Sequence, residues 1–214
     1  MGFERGITSP CLFRHVSKDM CAFVQGDGFV ISGPEKHLSA VRQFICERYL
    51  TKVRGLIGPE PSDEKAIVIL NRIIEWRDDG IVMEAAPRHV EMILKELGME
   101  ACKGSDVVGA SIDTRDDDPK LGRDDAKAFR SLAARCNFLS ADRPDIQYAC
   151  KEICRRMSEP SGGDWTLLKK LARYLKSHPR QVCMFQYQDT PTELSIIVDT
   201  DYGGCKRTRK STNG

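Results

Sequence analysis

Phe23-Val24-Gln25-Gly26-Asp27-Gly28-Phe29-Val30-Ile31-Ser32-Gly33 is a pair of short apolar runs set around Gly-Asp-Gly. Residues 20–24 and 29–31 carry the β-branched and aromatic content of strands, and the residues between them tolerate the positive φ of a tight hairpin turn. Asp27 then stands at the hairpin tip. A carboxylate held there on rigid strands can reach a divalent cation, but two Mg²⁺ ions about 3.5–4 Å apart need several anionic oxygens to hold them. Asp-Gly is also the ordinary turn pair of hairpins, so the stretch fixes local structure and leaves its chemistry open.

Outward from the hairpin, residues 12–15 read as a preceding strand, with Ser17-Lys18-Asp19 turning between them. Ser32-Gly33-Pro34 begins a helix to about Tyr49, with Pro34 at its first position and Leu38, Val41 and Ile45 at i, i+3 and i+7. A Gly-Pro-rich stretch over 55–61 interrupts the chain before two β-rich runs, 66–76 and 81–84, joined by Asp78-Asp79-Gly80. Pro87 opens another helix, whose stripe of Val90, Ile93, Leu94 and Leu97 ends at Gly98. Asp113, Asp116, Asp117, Asp118, Asp124 and Asp125 then crowd into an exposed linker without the alternating acids and closing Glu of an EF-hand loop. Three helical patterns follow over 125–139, 143–157 and 164–176, with Asp142 and Asp164 as the expected caps of the second and third. They are expected to pack as a small bundle. Residues 182–188 and 193–198 read as a last pair of strands turned by Asp189-Thr190-Pro191, with Asp199 at the end of the second.

Composition limits the functional classes. The hydrophobic share of 41% and charged share of 30% are those of a globular chain, and 33 Lys+Arg against 31 Asp+Glu leave +2. Any basic surface must therefore be local. No stretch approaches the roughly 18 apolar residues of a membrane span, and the N-terminal residues lack a signal peptide's apolar core, so no membrane partner is expected. The nine cysteines are scattered, without a Cys-x-x-Cys pair, which suits an intracellular, reducing compartment. Cys150 and Cys154 share a stripe with Ile146, Ala149, Ile153 and Met157 and read as core, and no histidine has zinc-ligand spacing. The opposite helix face carries Arg155, Arg156, Lys169, Lys170 and Arg173 as candidate nucleic-acid contacts; the same charges also suit a plain solvated face.

Several segments fall into a familiar order: Gly2-Phe3 and Ser9-Pro10-Cys11-Leu12-Phe13 before the hairpin; Leu70-Asn71-Arg72 through Trp76, Asp79-Gly80-Ile81 and Arg88-His89 after it. Then come Arg130, Asp142-Arg143-Pro144-Asp145-Ile146, Met157, Pro160, Trp165 and Arg173-Tyr174-Leu175, and finally Asp199-Thr200-Asp201-Tyr202-Gly203-Gly204 with Lys210-Ser211-Thr212. This order resembles the C-terminal part of the reverse transcriptase of Ty1/copia-type LTR retrotransposon Pol polyproteins, followed by the start of ribonuclease H.

The resemblance implies an α+β fold. It comprises a palm-type antiparallel sheet with helices over 1–105, an acidic linker over 106–125, a helical thumb and connection bundle over 126–180, and a β-hairpin beginning an RNase H-like fold over 181–214. It implies a parent RNA-directed DNA polymerase using Mg²⁺, with an RNA template, an RNA–DNA hybrid or DNA as partner. Asp27 falls on the first of the family's paired catalytic aspartates and Asp199 on the first ribonuclease H carboxylate, so both are metal-ligand and catalytic remnants by resemblance. Gly28 falls on the second aspartate. With that substitution, and with the upstream palm and later ribonuclease H ligands absent from the sequence, the expectation is a catalytically inactive fragment. The alternative is a non-enzymatic nucleic-acid-binding or protein-interaction remnant.

Overall fold

The computed structural model describes residues 1–109, 118–189, 191–200, 202–203 and 209–211. The chain divides into two compact units, Met1–Arg54 and Gly55–Gly214. Among the described residues the fold is α+β, with two four-stranded antiparallel sheets and five α-helices. The acidic positions Asp113, Asp116 and Asp117, and the tail residues Asp201, Gly204, Lys206, Arg207 and Thr212, lie outside the described residues.

In the first unit, β1 (Glu4–Arg5), β2 (Leu12–His15), β3 (Met20–Gln25) and β4 (Gly28–Ser32) lie side by side in chain order. Asp19, in the left-handed conformation at φ 48°, closes the short 3₁₀ turn between β2 and β3. Helix α1 (Glu35–Arg48) follows, with Pro34 at the N-cap in an extended conformation rather than in the first helical turn as expected. Of the stripe at 38, 41 and 45, only Val41 is buried.

The second unit begins with β5 (Ala66–Ile69), β6 (Arg72–Arg77) and β7 (Gly80–Ala85). The run read as one strand over 66–76 is two, because Leu70 and Asn71 both take positive φ, 49° and 62°, and form a tight two-residue turn. The fourth strand is β8 (Val182–Gln186), which runs antiparallel to β7 from Gly80↔Gln186 to Glu84↔Val182. The expected terminal hairpin is therefore not formed: residues 193–198 lie in no strand, and Leu194, Ile196, Ile197 and Val198 are exposed. Residues 182–186 pair instead with the strand whose partner edge is open.

Helices α2 (Arg88–Glu96), α3 (Arg123–Ser140), α4 (Gln147–Cys154) and α5 (Gly162–Ser177) enclose the core. Leu167, Leu168, Leu171 and Leu175 recur along one face of α5, and Phe129, Leu132, Ala133 and Cys136 along one face of α3. Burying each large apolar side chain is worth about 1.5–3 kcal/mol relative to leaving it in water. Helix α2 ends as its sequence requires: Met99 N donates to Leu94 O at 2.8 Å and Gly98 N to Lys95 O at 3.0 Å, with Gly98 at φ 64° and Met99 buried beside the last turn.

Two further caps differ from the sequence reading. Ser161, not Asp164, caps α5; Asp164 is the third helical residue and its Oδ2 accepts a hydrogen bond from Ser161 N at 2.8 Å, completing a capping box. The segment over 143–157 is a 3₁₀ turn, Pro144–Ile146, then the shorter α4, and Asp142 caps neither. It is drawn away by Arg72 of β6, whose Nε donates to Asp142 Oδ1 at 2.8 Å, fastening the sheet to the helices.

Candidate nucleic-acid interface

The pairing of Gln25 with Gly28 leaves Gly26 and Asp27 as the two-residue turn between β3 and β4. Gly26 takes φ 60°, a conformation that costs glycine least, so Asp27 is carried at the tip and exposed. Gly28 has no such backbone demand: a Cβ there would have Gln25 O as its nearest neighbour, at 3.4 Å. The strand thus has room for a side chain at 28, and glycine is not there for packing. Among the described residues no group of three or more His, Cys, Asp or Glu side chains is placed to hold a metal ion. A lone exposed carboxylate does not fit a two-metal centre.

Asp199 stands in the second unit, exposed, with its Oδ1 accepting a hydrogen bond from Thr200 N at 2.8 Å. That bond joins neighbouring residues, and no strand leads into it.

The five cations proposed for nucleic acid separate into two groups. Arg155 Nη1 donates to both oxygens of Glu152, at 2.9 and 3.1 Å, and Arg156 Nε lies 3.8 Å from Asp164 Oδ1, whose side chain is buried in the capping box. Their charges are largely answered within the fold. Lys169, Lys170 and Arg173 lie together on α5, Lys169 and Arg173 exposed at i, i+4 spacing and Lys170 half-buried beside them. Among the described residues none of these three has a salt bridge. A surface whose cations lack internal counterions is the kind that exchanges its small ions for phosphates.

At the C-terminal end of α5 lies a polar knot built from the segment Asp142 to Ile146. Arg143, with 1% of its side chain exposed, donates to Asp145 through Nε at 2.9 Å and Nη2 at 2.7 Å, and to His178 O at 3.0 Å. Tyr174 Oη donates to Asp145 Oδ2 at 3.0 Å. Burial pushes the Asp145 carboxyl up, but the Arg143 guanidinium and the Tyr174 hydroxyl outweigh it and hold the group below its ordinary range. The same surroundings, burial first, raise the Tyr174 phenol. The knot holds the C-terminal turn of α5, next to Arg173 and about one turn from Lys170 and Lys169. Arg130 does comparable work for α4, donating to Met157 O at 2.7 Å and Ser158 O at 3.1 Å.

Sequence comparison adds relatives. The chain is 32% identical over 132 residues to the "Uncharacterized mitochondrial protein AtMg00810" of Arabidopsis thaliana, covering 59% of this chain and 52% of that protein. It is 29% and 30% identical over 90 residues, 42% of the chain, to the retrovirus-related Pol polyproteins from transposons RE2 and RE1 of the same plant. The chain is a homologue of transposon Pol polyproteins. It spans about half of the first relative and 6% of the two polyproteins. No family model and no solved structure matches it.

Within that kinship, the segment from Asp142 to Ile146 has a structural explanation independent of chemistry: Asp142 fastens the sheet, the buried Arg143 pairs with Asp145, and Ile146 is core. Sequence reasoning missed Lys103. It stands alone in a loop, without periodicity or motif, and only the fold brings it to α5.

Proposed function

We propose that this chain is a segment of a copia-type reverse transcriptase and ribonuclease H polyprotein that holds nucleic acid and does not itself polymerise DNA. The reading rests on one observation: in a homologue of Pol polyproteins, the exposed tip Asp27 is followed by glycine at a strand position with room for a side chain. The second carboxylate has been lost where the backbone did not require its loss. A single carboxylate leaves a pair of Mg²⁺ ions without the oxygens they need. In this reading Asp199 is likewise a remnant of the ribonuclease H site.

Primer extension on an RNA template with Mg²⁺ tests the proposal. The expected result is no extension by the chain or by its Asp27→Ala variant; extension that is lost on Asp27→Ala would overturn it.

The nucleic-acid-holding part is favoured by Lys169, Lys170 and Arg173, which share one stretch of α5 without salt bridges among the described residues. The expected partners are an RNA–DNA hybrid or a single strand, bound in a salt-dependent manner.

A further inference from the structure

After Met99 closes α2, the loop over 102–109 is laid along α5 and held there closely. Ser105 N donates to Arg173 O at 3.1 Å, and a Cβ added at Gly104 would strike Ser177 Oγ. Gly109 takes φ 72°, and a Cβ there would come within 2.8 Å of Lys170 Cβ. These approaches leave an open groove of roughly 660 Å³ between loop and helix, lined by Lys103, Ser105, Lys170 and Arg173 among others.

Among the described residues, the charged side chains lining the groove, Lys103, Lys170 and Arg173, are of one sign. Among the described residues, Lys103, Lys170 and Arg173 have no salt bridge, and the loop's own acid, Asp106, is directed to His178 Nε2 at 3.8 Å. Like charges brought together in a groove repel one another and raise the local concentration of anions. An anion that touches all three relieves the repulsion. A groove open to solvent suits a polymer passing through it better than an enclosed small molecule.

We infer that the groove between the 102–109 loop and α5 seats backbone phosphates of a nucleic-acid strand, with Lys103, Lys170 and Arg173 as their contacts. The inference rests on the nucleic-acid-holding reading above and adds to it a place, a loop and one residue, Lys103, outside the helix face. Lys169 is expected to assist from the rim, Arg155 and Arg156 to contribute less.

The test is anisotropy of a labelled single-stranded oligonucleotide titrated with the full chain over a salt series. Removing two phosphate contacts in Lys103→Ala/Lys170→Ala should lower affinity and reduce the steepness of log K against log salt by about 1.4, at roughly 0.7 per contact. Gly109→Ala, which disturbs the loop without changing charge, should weaken binding, whereas Lys176→Ala, outside the groove, should have a smaller effect. Circular dichroism establishes that each variant keeps its helices. Wild-type affinity and slope in the folded double variant would overturn the groove while leaving nucleic-acid holding intact. No binding by the wild-type chain at low salt would overturn both. Inorganic phosphate quenching Lys103 modification in the absence of any oligonucleotide binding would mean a small-anion pocket and would also overturn the strand inference.

Discussion

The two units of this chain are built on opposite balances of surface and core. In Met1–Arg54, Met20 and Val41 are the only hydrophobic side chains that are buried, although the unit has a four-stranded sheet and a 14-residue helix. In Gly55–Gly214, α2, α3, α4 and α5 enclose a continuous core from Ala85 to Leu175, pinned by the buried Arg143 and its half-buried partner Asp145. The first unit carries the hairpin on which the family resemblance places polymerase chemistry; the second carries Lys169, Lys170 and Arg173, which have no salt bridge among the described residues. The unit with the continuous core is the one to which the proposed nucleic-acid contacts belong.

The largest expected effect breaks the second unit at its polar knot. Asp145→Ala leaves the Arg143 guanidinium buried without its partner and should cost about 3–5 kcal/mol, read as a loss of denaturation midpoint. A cost below about 1 kcal/mol would mean that the backbone carbonyls of His178 and Pro179 suffice. Leu168→Ala, at a position with no exposure, should cost about 2–5 kcal/mol, while Phe29→Ala on exposed β4 should fall within about 1 kcal/mol. Equal costs would erase the contrast between the units.

Acid should act on the second unit through the same knot. The folded Asp145 carboxyl sits below its unfolded value, so the stability it contributes is complete above an unfolded pKa of about 3.9 and is lost as pH falls through the folded one. Thermal melts followed by helical signal should drop over that range, and the drop should be shallower in Asp145→Asn. An unchanged profile would mean that other carboxylates carry the acid transition.

The smallest effect is chemical. Cys11, Cys21 and Cys46 of the first unit are exposed, whereas burial pushes the Cys150 thiol up to about 12 and raises Cys136 as well. At pH 8 a thiol reagent followed by mass spectrometry should label the first three rapidly and Cys136 and Cys150 only on unfolding. Labelling of Cys150 at the rate of Cys21 would show that the bundle opens as readily as the sheet.

Much of the fold was legible because its signals are local. The strands around Gly26-Asp27, the stripes of α2, α3 and α5, and the glycine stop at Gly98 all follow from periodicity and turn chemistry. The turn at Leu70-Asn71 was not, because leucine seldom adopts positive φ and gives no turn signal. Pairing of β8 with β7 was missed for another reason: it joins residues about a hundred positions apart, while the nearer run over 193–198 offered a simpler hairpin. Asp142 reads as a cap because nothing local shows that Arg72, 70 residues earlier, competes for it. The candidate site divides the same way. Lys169, Lys170 and Arg173 are visible as a helix face, but which cations have acid partners, and that Lys103 joins them, depends on tertiary placement.

The most direct measurement uses one sample: the full chain with Mg²⁺, nucleotides and an RNA–DNA hybrid with a recessed, labelled 3′ end, resolved on a native gel at low salt and then on a denaturing gel. The account predicts a retarded hybrid whose primer stays at its original length. A primer that lengthens in the presence of wild-type chain but not Asp27→Ala would contradict it, and a hybrid that is never retarded would remove the holding role.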